Sequence, residues 1–150
     1  MNKNKKEIIF FCPQIFDGGL EKTLINYLNF FSKNNNVSLI TNTKNYNQLN
    51  LINKKVKIIN FKIDYLIRFR LLNNIYCTLQ LIKFLTKKSI IFSLQDHFFL
   101  LLFKFFGLKT KLVIRTSTAI FNDKNTYETT NLKKTHFLKK FFITLYKYSD

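Results

Sequence analysis

Apolar runs of strand length alternate along this chain with stretches in which apolar residues recur every three or four positions. The runs Glu7 to Cys12, Val37 to Thr41, Val56 to Phe61, Ile90 to Leu94 and Lys111 to Arg115 predict strands. Each is nearly continuous in large apolar residues, as expected when helices cover both faces of a sheet. The spacing of Leu20, Leu24, Tyr27, Leu28 and Phe31 predicts a helix from Leu20 to Ser32 with one buried face, capped by Asp17 and leaving through Asn34-Asn35-Asn36. A long helix is predicted from Tyr65 to Leu85, carrying Leu66, Phe69, Leu72, Ile75, Tyr76, Leu79, Ile82 and Phe84. Another runs from Asp96 to Phe106 and stops at Gly107. Strands alternating with helices imply βαβ units, hence an α/β fold with a mostly parallel sheet and helices on both faces.

Beyond Arg115 the pattern changes. Ser117 to Asn131 is polar without apolar periodicity and reads as a surface loop. Leu132 to Tyr148 predicts a last helix in which Lys133, Lys134, Lys139, Lys140 and Lys147 alternate with Phe137, Leu138, Phe141, Phe142, Leu145 and Tyr146. Such a helix either packs on the sheet with a solvated lysine face or lies in an anionic membrane interface.

The 150 residues suit one domain with a real core, and 47% hydrophobic content with 18 Phe places the chain among folded proteins. A formal charge of +17 admits three explanations: an A/T-rich codon bias that also enriches Asn, Ile and Phe, attraction to an anionic membrane surface, and nucleic-acid binding. The third is least supported, because Arg68, Arg70 and Arg115 are the only arginines and no nucleic-acid-binding signature occurs. The longest apolar run, Phe98 to Phe103, is far short of the roughly 20 residues that span a bilayer. Met1 to Pro13 has a basic start but no cleavage pattern, so a cytoplasmic protein, peripheral on the inner membrane face at most, is expected. Isolated Cys12 and Cys77 read as small core residues in a reducing compartment.

Candidate chemistry gathers where the first strand turns into the first helix. Gly18 and Gly19 precede helical N–H groups that lack intrahelical partners and whose dipoles favour a phosphate or carboxylate. The bland alternative is a loop that lets the helix pack. Glu21 falls in the first turn, where the dipole stabilises a carboxylate whatever its function. Arg115, followed by Thr116, ends a strand at the carboxyl edge where open α/β sheets bind ligands, and a guanidinium there grips phosphate or joins a surface ion pair. Asp96 and His97 form an acid/base pair in the cleft or, more simply, a helix cap and its neighbour. His136 is expected to face solvent, and the histidine and cysteine spacings predict no metal site.

The segment Gly18-Gly19-Leu20-Glu21-Lys22 through Asn26-Tyr27-Leu28, between Ile8 to Pro13 and Val37-Ser38-Leu39-Ile40-Thr41, resembles the opening of the family 4 glycosyltransferases. Ile90 to Gln95, Leu112 to Ser117 and Tyr148-Ser149-Asp150 resemble later parts of the same domain. The resemblance implies a Rossmann-like domain, the acceptor-side half of a GT-B enzyme that moves a sugar from a nucleotide sugar to a glycan or lipid-linked acceptor in surface-polysaccharide assembly. It implies retention at the anomeric carbon and places Gly18, Gly19, Glu21, Arg115 and Thr116 near donor phosphate or acceptor. No cofactor is implied beyond the nucleotide sugar as substrate. The family's C-terminal donor domain, with its Glu-x₇-Glu motif, is absent from these residues, so the chain is expected to be an incomplete half, inactive alone and poorly soluble. The alternative is a stand-alone Rossmann-like binding or scaffold module with a basic, anion- or membrane-binding surface.

Overall fold

The computed structural model describes residues 5–15, 18–44, 46–86 and 88–115. Asp17, Thr116, the 117–131 loop, the Leu132 to Tyr148 helix and His136 lie outside the described residues.

Five strands form one parallel sheet: β1 Glu7–Phe11, β2 Asn36–Thr41, β3 Lys57–Asn60, β4 Ser89–Ser93 and β5 Lys111–Ile114, in the order β3-β2-β1-β4-β5. Phe10 aligns with Leu39 on one side and Phe92 on the other. Helices α1 Gly19–Phe31, α2 Tyr46–Leu49, α3 Asp64–Ile67, α4 Arg70–Phe84 and α5 Phe98–Phe105 make up the remaining elements, and the fold is Rossmann-like.

Alternation along the strands divides the core into two layers. On one face Ile8, Phe10, Cys12, Val37 and Leu39 pack on Leu24, Ile25 and Leu28 of α1. On the other face Ile9, Phe11, Ile40, Ile91 and Leu112 pack on Cys77 and Leu81 of α4 and on Leu100 and Leu101 of α5. Phe10 and Phe92 stack with ring centroids 5.2 Å apart, under Tyr27 and Phe31.

The expected strands appear within a residue of their bounds, and α1 nearly so. The single helix expected from Tyr65 to Leu85 is instead α3 and α4, broken at Arg68 and Phe69, with Phe69 non-helical at φ −113, ψ 87. The Ile67 carbonyl, which an unbroken helix would offer to the N–H four residues on, instead accepts the Gln14 side-chain amide at 3.3 Å. The helix expected from Asp96 begins at Phe98, because Asp96 takes a left-handed φ of 55. Its end is as anticipated. Gly107, at φ 100, donates to Lys104 O and Leu108 donates to Phe103 O, the paired bonds of a Schellman motif.

Candidate functional site

The chain runs outward from β1 through β2 to β3, then crosses back to place β4 on the other side of β1. Beyond the carboxyl ends of β1 and β4, therefore, successive connections leave in opposite directions and open a crevice, the usual ligand position in such sheets. Cys12 to Ile15 with Gly18 and Gly19 after β1, and Leu94 to His97 after β4, form its walls.

The first wall is anchored by side chains from distant elements. Pro13 O accepts the Asn42 N–H at 3.0 Å and Asn73 Nδ2 at 2.9 Å. Gln14 O accepts Gln95 Nε2, and Ile15 O accepts Thr43 Oγ1 at 3.2 Å. Asn42 in turn donates Nδ2 to Asn73 Oδ1 at 2.7 Å and brackets Ile63, accepting its N–H at 2.8 Å and donating to its carbonyl at 3.1 Å. Three successive carbonyls bound inward anchor Pro13 to Ile15.

At the end of that loop Gly18 is the N-cap of α1, in extended backbone with no side-chain capping bond, and Lys22 N–H closes the first helical bond on its carbonyl at 3.3 Å. Glu21 is buried and folds back over Gly18. A Cβ on Gly18 would stand 2.8 Å from Glu21 Oε2. Glu21 thus takes the place of the glutamate of a capping box, with glycine in place of the usual Ser or Thr. Gly19 is different: it is exposed, and among the described residues nothing beyond its chain neighbours and its own helix backbone lies within 4 Å of where its Cβ would be. The adjacent glycines therefore have separate reasons, an inward carboxylate at Gly18 and open space at Gly19.

On the second wall the Asp96 carboxylate is held by Arg70, with Nη2 at 2.6 Å and Nε at 3.0 Å from Oδ1. Asn74 Nδ2 donates to the Asp96 carbonyl at 2.7 Å. Asp96 is therefore an ion-pair partner and not the cap of α5; that position belongs to His97, which makes no side-chain capping bond. The Arg70 guanidinium is stabilised as a cation chiefly by its hydrogen bonds to Asp96. Burial favours the neutral ring and pushes the His97 imidazole below its usual range, while the nearby Asp96 charge acts in the opposite direction. Cys12, under the crevice floor, bonds to Gln14 O and Gln95 Nε2, yet its burial pushes the thiol up to about 12. It is no nucleophile at neutral pH.

Arg115 follows β5 and donates its N–H to Ser93 O at 2.9 Å. Its guanidinium carbon lies 5.7 Å from the centre of the Tyr27 ring, and among the described residues its buried Nη1 meets no hydrogen-bond acceptor. Tyr27 is eight residues beyond Gly19, about 12 Å along the helix axis, so Arg115 sits against the flank of α1 and not at its start. Gly18, Gly19 and Glu21 are brought together on one wall and Asp96 and His97 on the other.

Arg70, Gln95, Asn42, Asn73 and Asn74 were not marked by sequence reasoning. The available signal was the pair Asn73-Asn74 inside a helical stretch, where buried amides betray backbone groups to satisfy. Among the described residues no group of three or more His, Cys, Asp or Glu is placed to hold a metal ion. An open groove of about 480 Å³, lined by Ile8, Phe31, Phe92 and Val113 among others, lies at the opposite, amino-terminal end of the sheet. Comparison of the chain with protein-family models, curated proteins and solved structures gives no match.

Proposed function

We propose that this chain is the acceptor-side half of a GT-B glycosyltransferase, transferring a sugar from a nucleotide donor to a glycan or lipid-linked acceptor at the inner face of a membrane. The observation that carries the reading is Gly19. It opens a helix at the carboxyl edge of a parallel sheet, it is exposed, and among the described residues nothing outside its chain neighbours and its own helix backbone enters the space its missing Cβ leaves. A diphosphate fits that space, because the first helical turn supplies N–H groups and the positive end of the dipole. The resemblance of Gly18-Gly19-Leu20-Glu21-Lys22 to the family's opening supports the same assignment. Glu21 then shapes the turn from inside, while Arg70 and Asp96 hold the facing wall.

The test is a titration with uridine diphosphate, comparing wild type with Gly19→Ala. Alanine is sterically free here and restricts the unfolded chain, so folding stability holds or rises by up to about 1 kcal/mol. Binding is expected to weaken at least about tenfold, since the methyl group occupies the ligand's approach to the backbone. Equal binding by Gly19→Ala, or no saturable binding by wild type, would overturn Gly19 as a diphosphate site, the observation on which the reading rests.

A further inference from the structure

Among the described residues the outer face of α4 is apolar and open. Its inner face uses Asn73, Asn74, Cys77, Thr78 and Leu81, all buried. Leu72 and Leu79 point outward, 50% and 48% exposed, with Ile82 beside them at 37%. Residues 72, 75, 79 and 82 follow the three-and-four spacing of a seam, Ile75 half-buried and the other three exposed, so the helix carries an apolar stripe on its outer side. The stripe continues into the break before α4, where Tyr65 is 69% exposed and Phe69 59%. Isolated exposed apolar residues need no explanation, but a contiguous series does.

Charge selects the occupant. From Tyr65 to Gln95 the chain contains no Asp or Glu, while Arg68 and Lys83, both exposed, bracket the stripe. A second copy of a chain with formal charge +17 would bring like charges together. A negatively charged surface with an apolar interior meets both features at once. We infer that the α3–α4 face lies on an anionic lipid bilayer, with Phe69, Leu72 and Leu79 entering the acyl boundary, Tyr65 at the headgroup level, and Arg68 and Lys83 among the headgroups. This surface names the membrane contact of the transferase proposed above, but it stands on exposure and charge alone. The assay contains no nucleotide, so its failure and that of the transferase assignment are read separately.

The experiment is co-sedimentation with vesicles of equal parts phosphatidylcholine and phosphatidylglycerol, alongside vesicles of phosphatidylcholine alone. Wild type is expected to bind the anionic vesicles and to release as salt rises. Arg68→Gln/Lys83→Gln is expected to weaken binding roughly thirtyfold, from the attraction each basic residue gains near an anionic surface. Lys54→Gln/Lys55→Gln, an equal loss of charge in the exposed turn before β3, is expected to stay within about threefold of wild type. Leu72→Gln/Leu79→Gln, at two half-exposed positions outside both core clusters, is expected to keep its melting temperature and lose binding. If the two charge variants weaken binding equally, net charge alone is responsible and the inference fails. It fails also if Leu72→Gln/Leu79→Gln binds like wild type, or if that variant abolishes a self-association that wild type shows in the absence of lipid.

Discussion

Replacing Asn73 by alanine tests whether the crevice wall is held by side-chain amides. Asn73 is 1% exposed and makes two hydrogen bonds across long sequence separations, donating to Pro13 O at 2.9 Å and accepting from Asn42 Nδ2 at 2.7 Å. Neutral hydrogen bonds of this kind contribute about 1 kcal/mol each, so their loss costs about 2 kcal/mol. The figure stays modest for a structural reason: Pro13 O keeps the Asn42 N–H at 3.0 Å, and Asn42 Nδ2 keeps Ile63 O at 3.1 Å, so neither partner is orphaned. For a chain of this size the melting temperature then falls by about 4 to 8 °C. Asn73→Asp separates hydrogen bonding from volume. It keeps the shape but turns a carboxylate oxygen toward Pro13 O and leaves a charge unpaired in the interior, which costs about 3 kcal/mol or more. Urea titration of the three proteins, with unfolding slopes compared to confirm a common transition, measures both effects. An Asn73→Ala midpoint equivalent to wild type within about 0.5 kcal/mol, or an aspartate variant no worse than the alanine, would refute the network as the anchor of the loop.

Gly107→Ala should lose about 1 to 2 kcal/mol through backbone strain, since φ is 100 and among the described residues nothing beyond its chain neighbours lies within 4 Å of the new Cβ. An unchanged denaturant midpoint would remove the Schellman account of the α5 terminus. Cys12 and Cys77 both have thiols pushed from 9.0 up to about 12 by burial. The fold favours their neutral form, so this contribution is complete below about pH 9 and is lost as pH rises from there toward 12. Cys12→Ala should therefore show a shallower alkaline decline in stability than wild type, and a parallel decline would contradict the assignment. At about pH 8 a thiol reagent should label neither cysteine until the protein unfolds.

The central strand was legible because burial on both faces makes it an unbroken apolar run, Ile8-Ile9-Phe10-Phe11, and the outer strands because short apolar runs recur between helical stretches. The end of α5 was legible because a left-handed residue there favours glycine. The break before α4 was not, since the Ile67 carbonyl left free by it meets the amide of Gln14, 53 positions away in sequence. The inward face of α4 was obscured by its chemistry: it presents Asn73 and Asn74 to backbone carbonyls, while the apolar periodicity of Leu72, Leu79 and Ile82 marks the outer side. At the crevice, a strand-glycine-helix sequence identified Gly18 and Gly19 locally. Arg70 and Gln95 meet their partners only through the tertiary fold.

The strand order also sets a timetable for synthesis. β1 is the central strand, yet its two neighbours are made at very different times: β2 begins at Asn36, whereas Ser93, the partner of Phe11, follows it by 82 positions. At translation rates of about 5 to 20 residues per second, the β4 side of Ile8-Ile9-Phe10-Phe11 waits roughly 4 to 16 seconds for its partner. Throughout that interval the nascent chain carries an apolar strand with one edge unpaired, a surface that invites either a chaperone or another nascent chain. Yield in the cell is thus governed by how that waiting edge is shielded, and slowing translation between the β3 and β4 codons should lower it.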